Sequence, residues 1–204
     1  MDSQENRLKN AVLEAVLPDV PFDGWCWGTV LKSAATAGYS RSQVRQAFPG
    51  KLDDVLDYFA IWTDSKMMEK LDKIDPEVLR VRDRIRTAVL ARFDSLEPYR
   101  EAERQALSYW SMPLRHIRAA KIVWRTADTI WDWAGDTAKD YNRYTKRGLL
   151  SGILSTTLLV WLDDDSQGRS ITRSFLDRRI ENVMQFGQIV GKIKSGSFKK
   201  ATQA

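Results

Sequence analysis

Four aspartates, Asp128, Asp132, Asp136 and Asp140, recur at every fourth position of this 204-residue chain. On a helix that spacing lays them along one slowly drifting stripe. Such a stripe repels itself unless cations answer it. Arg125, Lys139 and Arg143 stand close enough to offset it as a solvated face, and a docking surface for a basic partner is the sharper alternative. A di-iron centre would need Glu-x-x-His pairs, and the one histidine, His116, completes none. Metal binding is therefore not expected.

Other reactive residue types are as sparse. Asp163, Asp164 and Asp165 are adjacent, so their carboxylates diverge and cannot meet on one ion without further ligands. They read as a solvent-facing end to a helix. His116 lies among Arg115 and Arg118 and reads as a surface histidine, with no Ser-His-Asp arrangement suggested. Cys26 is the one cysteine, which rules out an internal disulfide and fits a reducing compartment. With neither a nucleophile-base pair nor a metal constellation, the expectation is a protein that is not an enzyme and carries no cofactor.

The elements that position these residues are helices. A 43% apolar and 29% charged composition, few glycines and prolines and no alternating Val/Ile/Thr runs predict an all-α chain long enough for one well-buried domain or a domain with a small lobe. Residues 5–17 carry Leu8, Val12, Ala15 and Val16 on one stripe. A loop with Pro21 and Gly24 leads to a helix from about Trp27 to Ala37. Gly38 ends that helix, Ser40 caps a short third one, and Pro49 closes it. A fourth follows over 51–71, with Leu52, Val55, Leu56, Phe59 and Trp62 as its apolar face. Longer helices are predicted from Asp75-Pro76 to about Leu96, from Pro98 to Trp110 and from Pro113 onward, giving about nine helices in all. In the last of these Ile117, Trp124 and Trp131 recur every seven residues, offset by Ala120, Ala127 and Ala134, as in a close-packed bundle helix. Domain boundaries are read at 1–65 for the head, 66–195 for the body and 196–204 for a polar basic tail.

The stretch "TAGYSRSQVRQAFPG" has the layout of a helix-turn-helix, in which Arg41, Gln43 and Arg45 are chemically able to read bases. Phosphate neutralisation dominates DNA affinity, however. The head carries six Lys/Arg against nine Asp/Glu, and Asp53, Asp54 and Asp57 stand where a backbone-contacting helix would lie. DNA binding is thus not expected, and a transcription regulator sensing an apolar ligand is kept as the alternative. Net charge is +5 overall, with the excess of positive charge in the body and residues 169–204. There Leu176, Ile180, Val183, Gly187 and Val190 form an apolar stripe beside Arg173, Arg178, Arg179, Lys192 and Lys194, which suits either anionic lipid or a dimer helix. Gly148 to Leu162 is uncharged over 15 residues, short of the roughly 20 that span a bilayer. The polar first ten residues lack the pattern of a targeting peptide. The expected location is the cytoplasm, with peripheral contact at the inner membrane.

The segments "WRTADTIWDWAGDTAKDYNRYTKRGLLSGILSTTLLVWLDDDS" and "FLDRRIENVM" resemble the lipid-binding coenzyme Q biosynthesis accessory family, which has a TetR-like fold; the resemblance extends over about Leu8 to Gly187. It implies a homodimer that holds lipid or an isoprenoid quinone intermediate and presents it to a membrane-bound di-iron hydroxylase of ubiquinone synthesis. It also implies a hydroxylase-contacting patch at Asp140, Asn142, Tyr144, Thr145 and Arg147. Arg143 departs from the pattern, where relatives carry an aromatic. The implied lipid pocket draws on large apolar side chains: Trp62, Met68, Leu71, Trp110, Trp124, Trp131, Leu158 and Trp161.

Overall fold

The computed structural model describes residues 4–139 and 141–201, with side chains described to position 185. No strand occurs among the described residues. Helices α1 (Gln4–Val16), α3 (Trp27–Thr36), α4 (Arg41–Ala47) and the first half of α5 (Leu52–Leu71) make the head, with the single turn α2 (Val20–Asp23) in the Pro21 loop. Val12, Leu13, Val16, Val30, Val44 and Phe48 are buried where α1 crosses α3 and α4. Gly38 takes the left-handed conformation predicted for it (φ 87°). Ser40 and Gln43 close a capping box, the Ser40 amide donating to Gln43 Oε1 at 2.9 Å and the Gln43 amide to Ser40 Oγ at 3.3 Å.

The body comprises α6 (Val81–Leu96), α7 (Arg100–Trp110), α8 (His116–Trp133), α9 (Tyr141–Asp163) and α10 (Ser170–Ala201). Helix α5 runs unbroken across position 65, some 30 Å at 1.5 Å per residue, and packs on α6. One rigid rod therefore joins head to body. The Asp75-Pro76 signal opens a 3-10 turn, Pro76–Val78, whose first amides Asp75 caps through Glu77; α6 begins only at Val81. Pro98 likewise lies in a 3-10 turn before α7, and α8 starts three residues beyond Pro113.

Two sequence expectations change in the folded chain. The acids Asp53, Asp54 and Asp57 do not stand free. Arg118 of α8 bonds Asp54 at 2.7 Å and Asp57 at 3.2 Å, Arg125 bonds Asp57 at 2.8 Å, and Tyr109 of α7 donates to Asp53. Burial and that bond to Asp53 push the Tyr109 hydroxyl up to about 12, so it stays protonated. Partners more than fifty residues away offset these charges, which a local count of the head cannot register. On α8, Ile117 is exposed, Trp124 sits at 36% exposure and Trp131 is half-buried, whereas Ile122, Thr126, Ala127 and Ile130 are buried. The heptad of Ile117, Trp124 and Trp131 is the outer edge of the helix, and its packed face lies round the other side.

Candidate functional site

A cavity of about 200 Å³ opens between α5, α6, α7, α8 and α9. Its floor is apolar: Leu56, Phe59, Phe93, Ala106, Ile122 and Leu154 are all buried. Its mouth opens to the surface, with Ser155 and Leu159 exposed and Leu107, Ala119, Val123 and Leu158 half-buried. Alanines 60, 106 and 119 stand where larger side chains would close the gap at interior packing density.

The wall carries one buried ionic group. Arg92 Nε donates to Asp64 Oδ1 at 3.0 Å and Thr126 Oγ1 donates to Asp64 Oδ2 at 2.8 Å, so Asp64 ties α5 to α6 and α8. Glu103 of α7 also faces the cavity. Removal from water pushes its carboxyl above the ordinary 4.5; the pull of Arg92 is a smaller opposing influence, and Asp64 adds to the rise.

Of the eight residues anticipated for the pocket, Trp110 and Leu158 line the cavity. The other six are elsewhere. Trp161 stacks on Phe93 with centroids 5.4 Å apart, a layer behind the wall, and Trp62 packs between Phe59 and Tyr99. Leu71 is core and Met68 is half-buried against it. Trp131 donates from Nε1 to the Lys146 carbonyl at 3.1 Å, and Trp124 lies beside Tyr144. The reason is angular: two residues along a helix is about 200° around it, so Trp124 points away from the face of Ile122 and Thr126. A usable signal was present. Glu103, Ala106, Leu107 and Trp110, and again Ala119, Ile122, Val123 and Thr126, follow i, i+3, i+4, i+7 spacing.

Beyond the cavity, the aspartate stripe has a use other than solvation. Arg147 is fully buried and bonds Asp136 Oδ2 at 2.8 Å, Asp132 Oδ1 at 3.0 Å and, through Nε, Asp128. Arg143 reaches Asp128 at 2.8 Å and Lys146 reaches Asp136 at 2.6 Å, while Arg125 turns to Asp57. Arg147 thus has no guanidinium left to offer a partner, and its expected surface role gives way to a structural one. Asn142, Tyr144 and Thr145 are exposed as a surface patch requires; Asp140 lies outside the described residues. Arg143 spends its charge on Asp128 at the position where an aromatic was expected.

Asp164 is likewise not a solvent-facing stop. It is 2% exposed and accepts from the amides of Ser166 and Thr172 at 2.9 and 2.8 Å and from both their hydroxyls. Burial works to raise its carboxyl, but these four bonds outweigh it and hold the group far below its ordinary range. Asp163 and Asp165 remain outside, paired with Arg104 and Arg100. His116 is exposed at the start of α8. Arg41 and Arg45 are exposed on α4, but the Gln43 side chain is occupied by its capping bonds. Leu176 and Ile180 are buried, so the start of the α10 stripe packs into the body; Gly187, Val190, Lys192, Lys194 and the 196–204 tail lie outside the described side chains. Among the described residues no three His, Cys, Asp or Glu gather as a metal site, and no helix is long and apolar enough to cross a membrane.

Comparison with known proteins adds the identity that geometry withholds. A sequence profile of the COQ9 family matches residues 117–187. The COQ9-B protein of Xenopus laevis, named a mitochondrial ubiquinone biosynthesis protein, is 30% identical over 198 residues, covering 94% of this chain and 67% of its own. This chain belongs to the COQ9 family. The rat COQ9 protein is 30% identical and the human one 29%, each aligned over 94% of this chain; the chain spans 63% and 62% of their lengths. In fold, the COQ9 architecture seen here is similar to a TetR transcriptional regulator from Nitrosomonas europaea, with a TM-score of 0.69 at 21% identity over 86% of this chain and 97% of that one. The fold is TetR-like: an all-helical head with a helix-turn-helix on a larger helical body.

Proposed function

We propose that this COQ9-family chain is a lipid-binding accessory protein of ubiquinone biosynthesis, which holds an isoprenoid quinone intermediate and presents it to a membrane-bound di-iron hydroxylase. The observation that carries the reading is the cavity. An apolar cavity of about 150 Å³ lined by Leu, Ile and Phe is enough to bind benzene and stay free of water. At about 200 Å³ this one takes a single ring or a short hydrocarbon segment, not a whole polyisoprenoid chain. A tail must therefore leave through the mouth between Leu107, Leu158 and Leu159. Each Å² of apolar surface hidden on the way contributes about 25 cal/mol.

The exposed group Asn142, Tyr144 and Thr145, with the Trp124 ring 6.3 Å from that of Tyr144, is the surface offered to the hydroxylase. Aromatic side chains anchor interfaces of this kind. Two chains pair through α9 and α10, and the basic C-terminal half of α10 supplies peripheral contact with a membrane.

Native mass spectrometry of the purified chain is the direct test, and a co-purifying apolar lipid is expected. Loss of the gene is expected to lower ubiquinone and to accumulate a demethoxy-type quinone. A ligand-free protein whose loss leaves quinones unchanged overturns the proposal. A gel shift at low salt separates the regulator alternative, because phosphate-driven binding appears there first.

A further inference from the structure

Two polar side chains in the cavity have hydrogen-bonding capacity that the fold does not use. Arg92 is 8% exposed, lines the cavity and reaches Asp64 through Nε. Its Nη groups make no hydrogen bond among the described residues. A guanidinium carries five N–H donors, so four remain available. Glu103 lines the same cavity from the facing helix and makes no hydrogen bond among the described residues either. Glu103 is half-buried, so its carboxyl reaches the open space of the cavity, where a ligand oxygen can take the place of solvent as hydrogen-bond partner to it and to Arg92.

We infer that Arg92 and Glu103 form a head-group subsite for an uncharged lipid whose ring bears hydrogen-bond-accepting oxygen, a substrate class that rests on the lipid-binding reading above. Three considerations fix the class. The cavity takes one ring or a short hydrocarbon segment, and the polar groups of Arg92 and Glu103 on its wall favour the ring that carries oxygen. Asp64 already balances the charge of Arg92, so the wall offers donors without a net positive charge. Glu103, its carboxyl raised by burial, adds an O–H donor when protonated and repels an anion when it is not. A carbonyl oxygen accepts from the Arg92 Nη groups, and from Glu103 when that carboxyl carries its proton, whereas a bare hydrocarbon bonds neither and a phosphate brings charge that the wall does not neutralise.

Isothermal titration of the full chain with decylbenzoquinone, decylbenzene and decyl phosphate tests this. The wild-type chain is expected to bind the quinone at least about tenfold more tightly than the hydrocarbon of equal chain length, from the hydrogen bonds that only the quinone satisfies. It is expected to bind the phosphate more weakly than the quinone. Glu103→Leu narrows the quinone preference while leaving decylbenzene affinity unchanged or improved. Glu103→Gln, whose amide still donates, keeps it within about threefold of wild type. Equal affinity for quinone and hydrocarbon in the wild type, a Leu variant that keeps the full preference, or tighter binding of the phosphate overturns the subsite and leaves lipid binding standing. Failure to bind any of the three probes overturns both.

Discussion

The Nη1 of Arg147 donates to Asp136 Oδ2 at 2.8 Å, with the two side chains only 1% and 3% exposed. This pair closes the junction between the end of α8 and the start of α9. Around it Asp128 and Asp132 complete a three-carboxylate socket for one guanidinium, and Lys146 balances part of the surplus negative charge. The short, sharply turned connection beyond Trp133 is therefore held by charge pairing, with Gly135 taking the left-handed conformation at φ 81°.

Removing the hub should be destabilising. Arg147→Met leaves Asp136 with Lys146 and Asp128 with Arg143 as remaining partners while Asp132 and Asp128 reach solvent, so the loss should fall at or below about 3 kcal/mol, the low end for breaking a buried pair. Urea denaturation should place the variant that far below wild type. Tyr144→Ala, on the exposed side of the same helix, should stay within about 0.5 kcal/mol in that assay. On the proposed function it should still lower quinone synthesis; unchanged quinone synthesis removes Tyr144 from the proposed partner surface.

Acid should loosen the α9–α10 turn. The Asp164 carboxyl lies below its ordinary 3.8 in the folded chain because Ser166 and Thr172 bond its charged form. A depressed folded value gives stability that is present above the unfolded value and lost as pH falls through the folded one. Asp164→Asn should lower stability at neutral pH by about 1–3 kcal/mol, the cost of weakening bonds to a charged acceptor. It should also flatten the acid limb of a stability-pH curve, and a variant curve parallel to wild type would contradict the assignment.

Glu103 should act in the opposite sense. Its carboxyl is raised in the folded chain, so the folded state holds a proton that the unfolded state releases above about 4.5. Stability from this group is fully present below that pH and declines as pH rises. The gap between Glu103→Gln and wild type should therefore widen in favour of the variant from about pH 4.5 upward. A gap constant with pH would show that Glu103 titrates normally.

Filling the cavity should separate binding from folding. Ala106 is 4% exposed on the cavity floor. Ala106→Phe inserts a ring into existing space, so its cost should stay at or below the 1–3 kcal/mol typical of overpacking a well-filled core. Co-purifying lipid should fall sharply in native mass spectra. Retention of lipid at wild-type levels would place the ligand elsewhere.

Much of the fold was legible because its signals are local. Gly38, Ser40 and Pro49 specify the helix-turn-helix within a dozen residues, and the cap and left-handed turn appear where those residue types require them. The proline signals at 76, 98 and 113 were right in kind and early in position, since each opens a tight or irregular turn before its helix. The cavity was less legible. Large rings drew attention to Trp124, Trp131 and Trp161, yet a cavity is left by small residues, here Ala60, Ala106 and Ala119, between helices distant in sequence. Ring size marks what fills space; it does not mark the space left over.

By itself, the sequence determined the helical class, the head's architecture, the bulk of the helix boundaries and the family, because periodicity, caps and long family motifs are written in contiguous residues. Tertiary structure alone decided which charges meet: Asp57 with Arg118 and Arg125, Asp64 with Arg92, three aspartates with Arg147. It also decided that Glu103 would face an apolar hollow. Charge pairing and burial depend on distance through space, and only packing of the helices sets that distance.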